Sequence, residues 1–421
     1  MHSQSMLSRR GLLKLGLASA SVPALARVLS IPALAQDLGP GNRRVGEVGG
    51  RDEERLFAGL DLPGGAQTEI RLNQSIYTSD PDELEVAQRL RPFDPKSWYD
   101  EWTRVAQRNE EIADGYAAQK LNVSANQFYL RAFGFYRDAI TYQQDTDKTM
   151  LPGYKKMLEQ FDKAWKMVPP PFERVTVMVD GNKLDGYFRK PGGPAGTRFP
   201  TVIVYQGADS LAEPSTMGAG SYVSRGMAVL VVDLPGQGRA KRLQQLYMPP
   251  DTERLVSDLV DYLETRPDVD ASRIGMRGVS LGSYSAPRAA SGDQRIKAVT
   301  TTAGSFDVLR DLFDYYPPIQ QRVRWIVGAK DLADTRRKLK DYTMEGVAQN
   351  IRCPMLIGYG PTDRIMDPQG AFRLYEAAVN SDRKMWAGAG HLNHDEKSGG
   401  VQEMPLPTAQ DWLARQLGAH A

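Results

Sequence analysis

Apolar and polar positions fall into two regimes that meet at Pro169-Pro170-Pro171. Ahead of that boundary, from about Asp94 to Met167, apolar residues recur three and four apart, the period of a helix. Trp98, Trp102 and Val105 form one such stripe, with Ser97 as its cap. Asn126 to Ala132 begins a second, which continues through Phe133, Phe135, Tyr136 and Ala139, and a third helix runs from about Tyr154 to Trp165. Behind the boundary the period shortens to two. Val175-Thr176-Val177-Met178-Val179 and Leu184-Asp185-Gly186-Tyr187-Phe188 alternate like the arms of a hairpin turning at Asp180-Gly181-Asn182. Thr201–Tyr205 and Ala228–Val232 are unbroken apolar runs, as strands covered on both faces require. Helical stretches then alternate with strands to the end. The pattern predicts an α/β chain with a mostly parallel sheet and helices on both faces. It contains no internal repeat and no low-complexity segment.

The start of the chain follows neither regime. Ser8-Arg9-Arg10-Gly11-Leu12-Leu13-Lys14 precedes an apolar stretch from Leu15 to about Ala35, and Ala33-Leu34-Ala35 stands before Gln36. Paired arginines, a short apolar run and a small-residue cleavage site resemble a twin-arginine export signal. Arg27 interrupts the run, which weighs against a stable membrane span. Residues 1–35 are therefore expected to be a signal peptide, and a periplasmic or secreted location follows. Residues 36–90, rich in Gly, Asp and Arg in their first part, are expected to form an extended arm. Residues 91–170 are expected to form a helical cap, and 171–421 the catalytic domain.

With 421 residues there is enough chain for two domains. Fifty-three basic side chains against 51 acidic ones leave no electrostatic reason to expect nucleic acid as a partner. Cys353 is the only cysteine, so no intrachain disulfide is possible and a zinc ribbon is excluded for want of thiolates. Its strand-like surroundings point to a buried, inert thiol.

The candidate chemistry begins at Gly278-Val279-Ser280-Leu281-Gly282, a G-x-S-x-G pattern between a short strand and a helix. A serine hydroxyl attacks only if a base takes its proton and the backbone thrusts the oxygen forward. Two features stand out here: Pro287 falls inside the expected helix, and Ser283 follows the motif where glycine is commoner. Of the four histidines, His2 lies in the signal-like segment and His420 beside the C-terminus. His391, in a glycine-rich loop after the strand-like Lys384-Met385-Trp386, is the favoured base, and His394 the rival. The acid should follow a late strand. Asp363, after Met355–Gly360, is favoured; Asp367 competes, although it could instead cap the next helix. Oxyanion donors are expected from the backbone N–H of Leu281 and from that of Ala208, in Gln206-Gly207-Ala208-Asp209. A metal is not expected, nor is any other cofactor. Phe128, Tyr129, Phe133 and Tyr136 could line a pocket or, at helical spacing, simply fill a core.

In order along the chain, several segments resemble one group of α/β-hydrolases with an N-terminal helical cap. They are the Asn126–Ala132 helix, Gln206-Gly207-Ala208-Asp209-Ser210, Val232-Asp233-Leu234-Pro235-Gly236-Gln237-Gly238, the serine elbow, Met344-Glu345-Gly346-Val347, Ile351-Arg352-Cys353-Pro354 and Asp411-Trp412-Leu413. That group includes 2,6-dihydroxypseudooxynicotine hydrolase, the yellowish-green heptaketide hydrolase and the fermentation-respiration-switch proteins. The resemblance implies a cap over the Ser280–Asp363–His391 triad and small organic substrates. It also implies cleavage of an ester or of a carbon–carbon bond beside a ketone. An acidic proton donor attributed to some such C–C hydrolases is not identifiable; Asp307 is a weak substitute, better read as a turn residue. The expected partners are a small-molecule substrate and the twin-arginine export machinery, with a homodimer left open. A prolyl-oligopeptidase-like peptidase and an inactive binding protein on the same scaffold remain as alternatives.

Overall fold

A computed structural model describes residues 80–419, apart from Pro92, Phe93, Tyr142, Gln144, Asp145, Asp209, Ala389, Gly390 and 392–408. The signal-like segment, most of the expected arm and His394 lie outside the described residues.

Four helices come first: α1 (Pro81–Arg89), α2 (Pro95–Ala118), α3 (Asn122–Ile140) and α4 (Met150–Met167). The first corrects the expectation of an extended arm through residue 90. Its start signals are local. The Asp80 carboxylate accepts the Asp82 N–H at 2.9 Å, and Pro81 occupies the first turn, where its missing donor costs nothing. Asp94 and Pro95 repeat the device at α2, with Asp94, rather than Ser97, as the cap. The helices pack along their aromatic stripes. Trp98 and Trp102 stand 5.6 Å apart, Phe133 and Phe161 5.3 Å, and the Trp98 indole donates to Asp138 O at 2.7 Å. Gly153 lets α4 approach α3 closely, since a Cβ there would lie 2.6 Å from Ile140 Cγ2.

After the triple proline come the strands: β1 (Glu173–Val179), β2 (Asn182–Arg189), β3 (Phe199–Tyr205), β4 (Ala228–Val232), β5 (Val269–Val279), β6 (Ile296–Thr302), β7 (Met355–Tyr359) and β8 (Arg383–Ala387). They form one sheet in the order β1-β2-β4-β3-β5-β6-β7-β8. The β1–β2 hairpin is antiparallel at one edge, as its alternating pattern predicts, and the remaining strands run parallel. β4 is buried at every position, whereas β1 alternates. All five parallel crossovers between β3 and β8 raise their strand ends on one side of the sheet, the side where open α/β sheets carry their sites.

The cap sits on this sheet through aromatic and ionic contacts. Phe161 and Trp165 of α4 meet Tyr187 of β2, with ring centroids 5.8 and 6.2 Å away. Arg174 pairs with Asp162 and lies 4.6 Å above the Trp165 ring. Arg322 also donates to Thr141 O, just beyond α3.

Candidate active site

Strand β5 ends at Val279, and the chain turns at Ser280 into the helix Gly282–Gly292. Ser280 has φ +53°, a left-handed conformation that costs a non-glycine residue about 1–3 kcal/mol. Two contacts over-determine the turn. The Ser280 N–H donates to Thr302 O on β6 at 3.0 Å, and Ser283 N–H donates back to Ser280 O at 2.7 Å. The motif's glycines are demanded by contact: a Cβ on Gly278 would fall 2.1 Å from Gly282 O, and one on Gly282 would fall 2.2 Å from Tyr205 O. Ser283 is also explained. Its buried hydroxyl donates to Thr302 O at 2.5 Å and accepts the Thr302 N–H at 3.2 Å, pinning the helix start to β6. The helix runs on through Pro287 without a break.

Three side chains far apart in sequence meet at this turn. His391 Nε2 lies 2.9 Å from Ser280 Oγ, and His391 Nδ1 lies 2.9 Å from Asp363 Oδ2 and 3.1 Å from Oδ1. The Asp363 carboxylate is almost wholly buried and aimed by the backbone. Its Oδ1 accepts the N–H groups of Ile365 and Met366 at 2.8 and 3.0 Å, and its own carbonyl accepts the Tyr315 hydroxyl at 2.7 Å. With Nδ1–H facing the carboxylate, Nε2 carries a lone pair toward the serine hydroxyl, the tautomer a general base requires. Asp367 is engaged elsewhere. Its Oδ1 accepts Gln369 N–H at 3.0 Å at the start of the helix Gln369–Ala377, and Oδ2 faces Arg373 at 3.6 Å.

Of the expected oxyanion donors, Leu281 directly follows the nucleophile at the mouth of its helix. The Gln206–Ala208 loop leaves β3 against the serine. A Cβ on Gly207 would be 3.0 Å from Ser280 Cβ and 3.5 Å from Oγ, so a larger residue there would crowd the serine. Asp307 accepts the Arg310 N–H at 2.9 Å, a turn-capping contact. The aromatic residues of α3 turn into the cap interior: Tyr129, Phe133 and Tyr136 are buried, and Phe128 stacks on Tyr116 at 5.5 Å. Cys353 is half-buried rather than fully buried as its strand-like surroundings suggest, and the burial it has pushes its thiol up to about 11. Among the described residues, no three His, Cys, Asp or Glu side chains are grouped to hold a metal ion.

Two buried carboxylates flank the site, and neither stands out in the sequence. Asp311 holds the turn after β6: its Oδ2 accepts the N–H groups of Phe306 and Asp307 at 2.7 and 2.9 Å, and Arg373 pairs with Oδ1. Burial, opposed chiefly by Arg373, pushes its carboxyl up to about 6. Asp233, beyond β4, accepts the N–H groups of Ala212 and Arg239, each at 2.9 Å. Burial and the adjacent Glu213 carboxylate push it up to about 7. Nothing local marks these aspartates as buried, and only the tertiary approach of Ala212, Arg239 and Arg373 shows them.

A mostly parallel sheet, a serine at a strained strand-to-helix turn and a histidine bridging it to a carboxylate define an α/β-hydrolase. The esterase FrsA-like family model matches residues 76–317, more than half of the chain, and the protein belongs to that family. The prolyl oligopeptidase family model matches residues 215–420. Hydrolase LUC6 of Fusarium sp is 28% identical over 366 residues, covering 76% of this chain and 86% of its own length. The 2,6-dihydropseudooxynicotine hydrolase of Paenarthrobacter nicotinovorans is 28% identical over 284 residues, 66% of this chain and 74% of that one. A crystal structure of the 2,6-dihydroxy-pseudo-oxynicotine hydrolase superposes with a TM-score of 0.69 at 25% identity, covering 82% of this chain and 95% of that one. The protein is a hydrolase.

Proposed function

We propose that this hydrolase cleaves an ester, or the carbon–carbon bond beside an activated ketone, in a small organic molecule through an acyl-Ser280 intermediate. The reading is carried by the unbroken Ser280–His391–Asp363 hydrogen-bonded line, 2.9 Å at each step, on a positive-φ turn. His391 takes the hydroxyl proton as Ser280 Oγ bonds to the carbonyl carbon, and Asp363 stabilises the imidazolium that results. Negative charge moves to the former carbonyl oxygen, toward the N–H groups of Leu281 and Ala208. When the intermediate collapses, the bond to the alkoxide or carbanion leaving group breaks, and His391 returns the proton to it. Water, deprotonated by the same imidazole, then releases the acid and restores Ser280.

The relatives support the substrate class. The names of 2,6-dihydropseudooxynicotine hydrolase and of 20-hydroxy-prefusarin hydrolase from Gibberella moniliformis both describe hydrolysis of small organic compounds. The peptidase alternative has the match over residues 215–420 behind it, but among the described residues the chain ahead of the sheet is four helices rather than repeated strands. A panel of aryl esters, β-diketones and peptide anilides separates the two. Turnover of an ester or diketone that disappears in Ser280→Ala is expected; turnover of anilides alone would favour the peptidase.

For location we propose export by the twin-arginine route, on the strength of Arg9-Arg10 and the apolar run behind them. Fractionation of cells expressing wild type and Arg9→Lys/Arg10→Lys tests it. The wild type should be found in the periplasm or medium and the double variant held inside; equal distribution would refute the route.

A further inference from the structure

The oxyanion loop is held from behind by a residue outside the triad. Gln237 is buried, and its side-chain amide reaches across from the β4 turn to donate to Gln206 O at 2.7 Å and, more weakly, to Gly207 O at 3.4 Å. Two carbonyls in that direction require a donor, so the NH2 end of the amide must face them. The second contact has a consequence for catalysis. Gly207 C=O and Ala208 N–H belong to one planar trans peptide and point in opposite directions. Whatever fixes the carbonyl fixes the N–H, and here the carbonyl accepts from the Gln237 amide and, within the loop, from the Ser210 N–H, each at 3.4 Å.

The brace is itself rigidly built. The Gln237 N–H donates to Leu234 O at 2.8 Å, Gly236 has φ +90°, and a Cβ on Gly238 would lie 1.9 Å from Asp233 Oδ2. Asp233 ties this turn to the helix Ala212–Met217 through the Ala212 N–H, and Ser215 of that helix donates to Gln206 Oε1 at 2.6 Å. Gln206 and Gly207 of the loop beside the nucleophile are thereby clamped, from two elements that Asp233 joins.

We propose that Gln237 is a positioning residue that aims the Ala208 N–H at the developing oxyanion, an inference that rests on the acyl-serine reading. Gln237→Met keeps the length of the side chain but has no donor, and Gln237→Glu presents an acceptor to two carbonyls. Both, with wild type and Ser280→Ala, are assayed on whichever ester the wild type turns over. The same proteins are titrated with an aryl boronic acid, whose tetrahedral adduct on Ser280 mimics the charged intermediate. The loss of one oxyanion donor lowers kcat by about 10²–10³-fold. For Gln237→Met the expected results are a kcat fall approaching that range, KM changed by less than about threefold, and boronate affinity weakened in step with kcat/KM. Gln237→Glu should do at least as much.

A Gln237→Met protein with wild-type kcat overturns the proposal. So does one in which KM carries the whole loss, or in which boronate affinity is retained while kcat falls. Should Gln237→Met not fold, Gln237→Asn, which keeps the donor on a shorter arm, is read the same way. Failure of the underlying reading looks different: Ser280→Ala would then keep its turnover, whatever Gln237 does.

Discussion

At the scale of single residues, the strongest claim is a division of labour between two aspartates four positions apart. Asp363 accepts His391 and two backbone N–H groups, while Asp367 accepts the Gln369 N–H and faces Arg373. Asp363→Asn should leave the fold intact and lower kcat by about 10³–10⁴-fold, since the amide favours the wrong imidazole tautomer. Asp367→Asn should leave kcat within about threefold of wild type; a larger loss with Asp363→Asn active would reverse the assignment. The sequence narrowed the acid to this pair and favoured Asp363 by its place directly after the strand. Both follow the same strand, and what separates them is which carboxylate faces the imidazole. Ser283 is a second case, an unexplained departure from glycine until Thr302 is placed beside it. Ser283→Gly removes its hydroxyl contacts with Thr302 and should cost about 1–2 kcal/mol in denaturant unfolding.

Elements were legible where burial writes a period into the sequence. The β1–β2 hairpin alternates because one face is covered, and β3 and β4 run apolar because both are. The helix α1 was missed although Asp80-Pro81 carries an ordinary start signal, because its nine residues bury only Val86 and so make no stripe. The stripe on α3 supported two readings, core or pocket; α2 and α4, by covering Tyr129, Phe133 and Tyr136, make it core. The cap also contains a charged cluster that composition does not reveal. Burial works to raise the Glu110 carboxyl, but Lys156, Lys163 and the Tyr136 hydroxyl outweigh it and hold it down at about 2. A depressed carboxyl stabilises the fold above its unfolded value of 4.5, and that contribution is lost as pH falls through the folded value. Glu110→Gln should therefore lower the Tm at pH 6, and the deficit should shrink between pH 4.5 and 2. A deficit independent of pH would mean that the contacts matter only through shape.

For the molecule as a whole, the site is a convergence of loops at one end of a sheet, and the supports beside it are buried carboxylates. Asp233 anchors the turn that carries Gln237, and Asp311 the turn that backs the Asp363 loop. Neither could be singled out among 51 acidic residues, because burial of a polar side chain is a property of the assembled fold. The sign of their effect is opposite to that of Glu110. A carboxyl whose folded value is raised binds its proton more tightly than the unfolded chain does, so it withdraws stability as pH rises from 3.8 toward about 7 in the case of Asp233. Asp233→Asn forfeits one acceptor, yet its Tm relative to wild type should improve steadily from pH 4 to pH 7. A flat difference would show that Asp233 is ionised in the fold throughout.

The most direct measurement is mass spectrometry of the folded protein after reaction with a fluorophosphonate, applied to wild type, Ser280→Ala and His391→Ala. One adduct should form on wild type and map to the peptide containing Ser280; it should be absent from Ser280→Ala and at least about 100-fold slower to form on His391→Ala. A folded wild type that resists the reagent, or a Ser280→Ala protein that takes it up at the same rate, would contradict the assignment of Ser280 as the nucleophile.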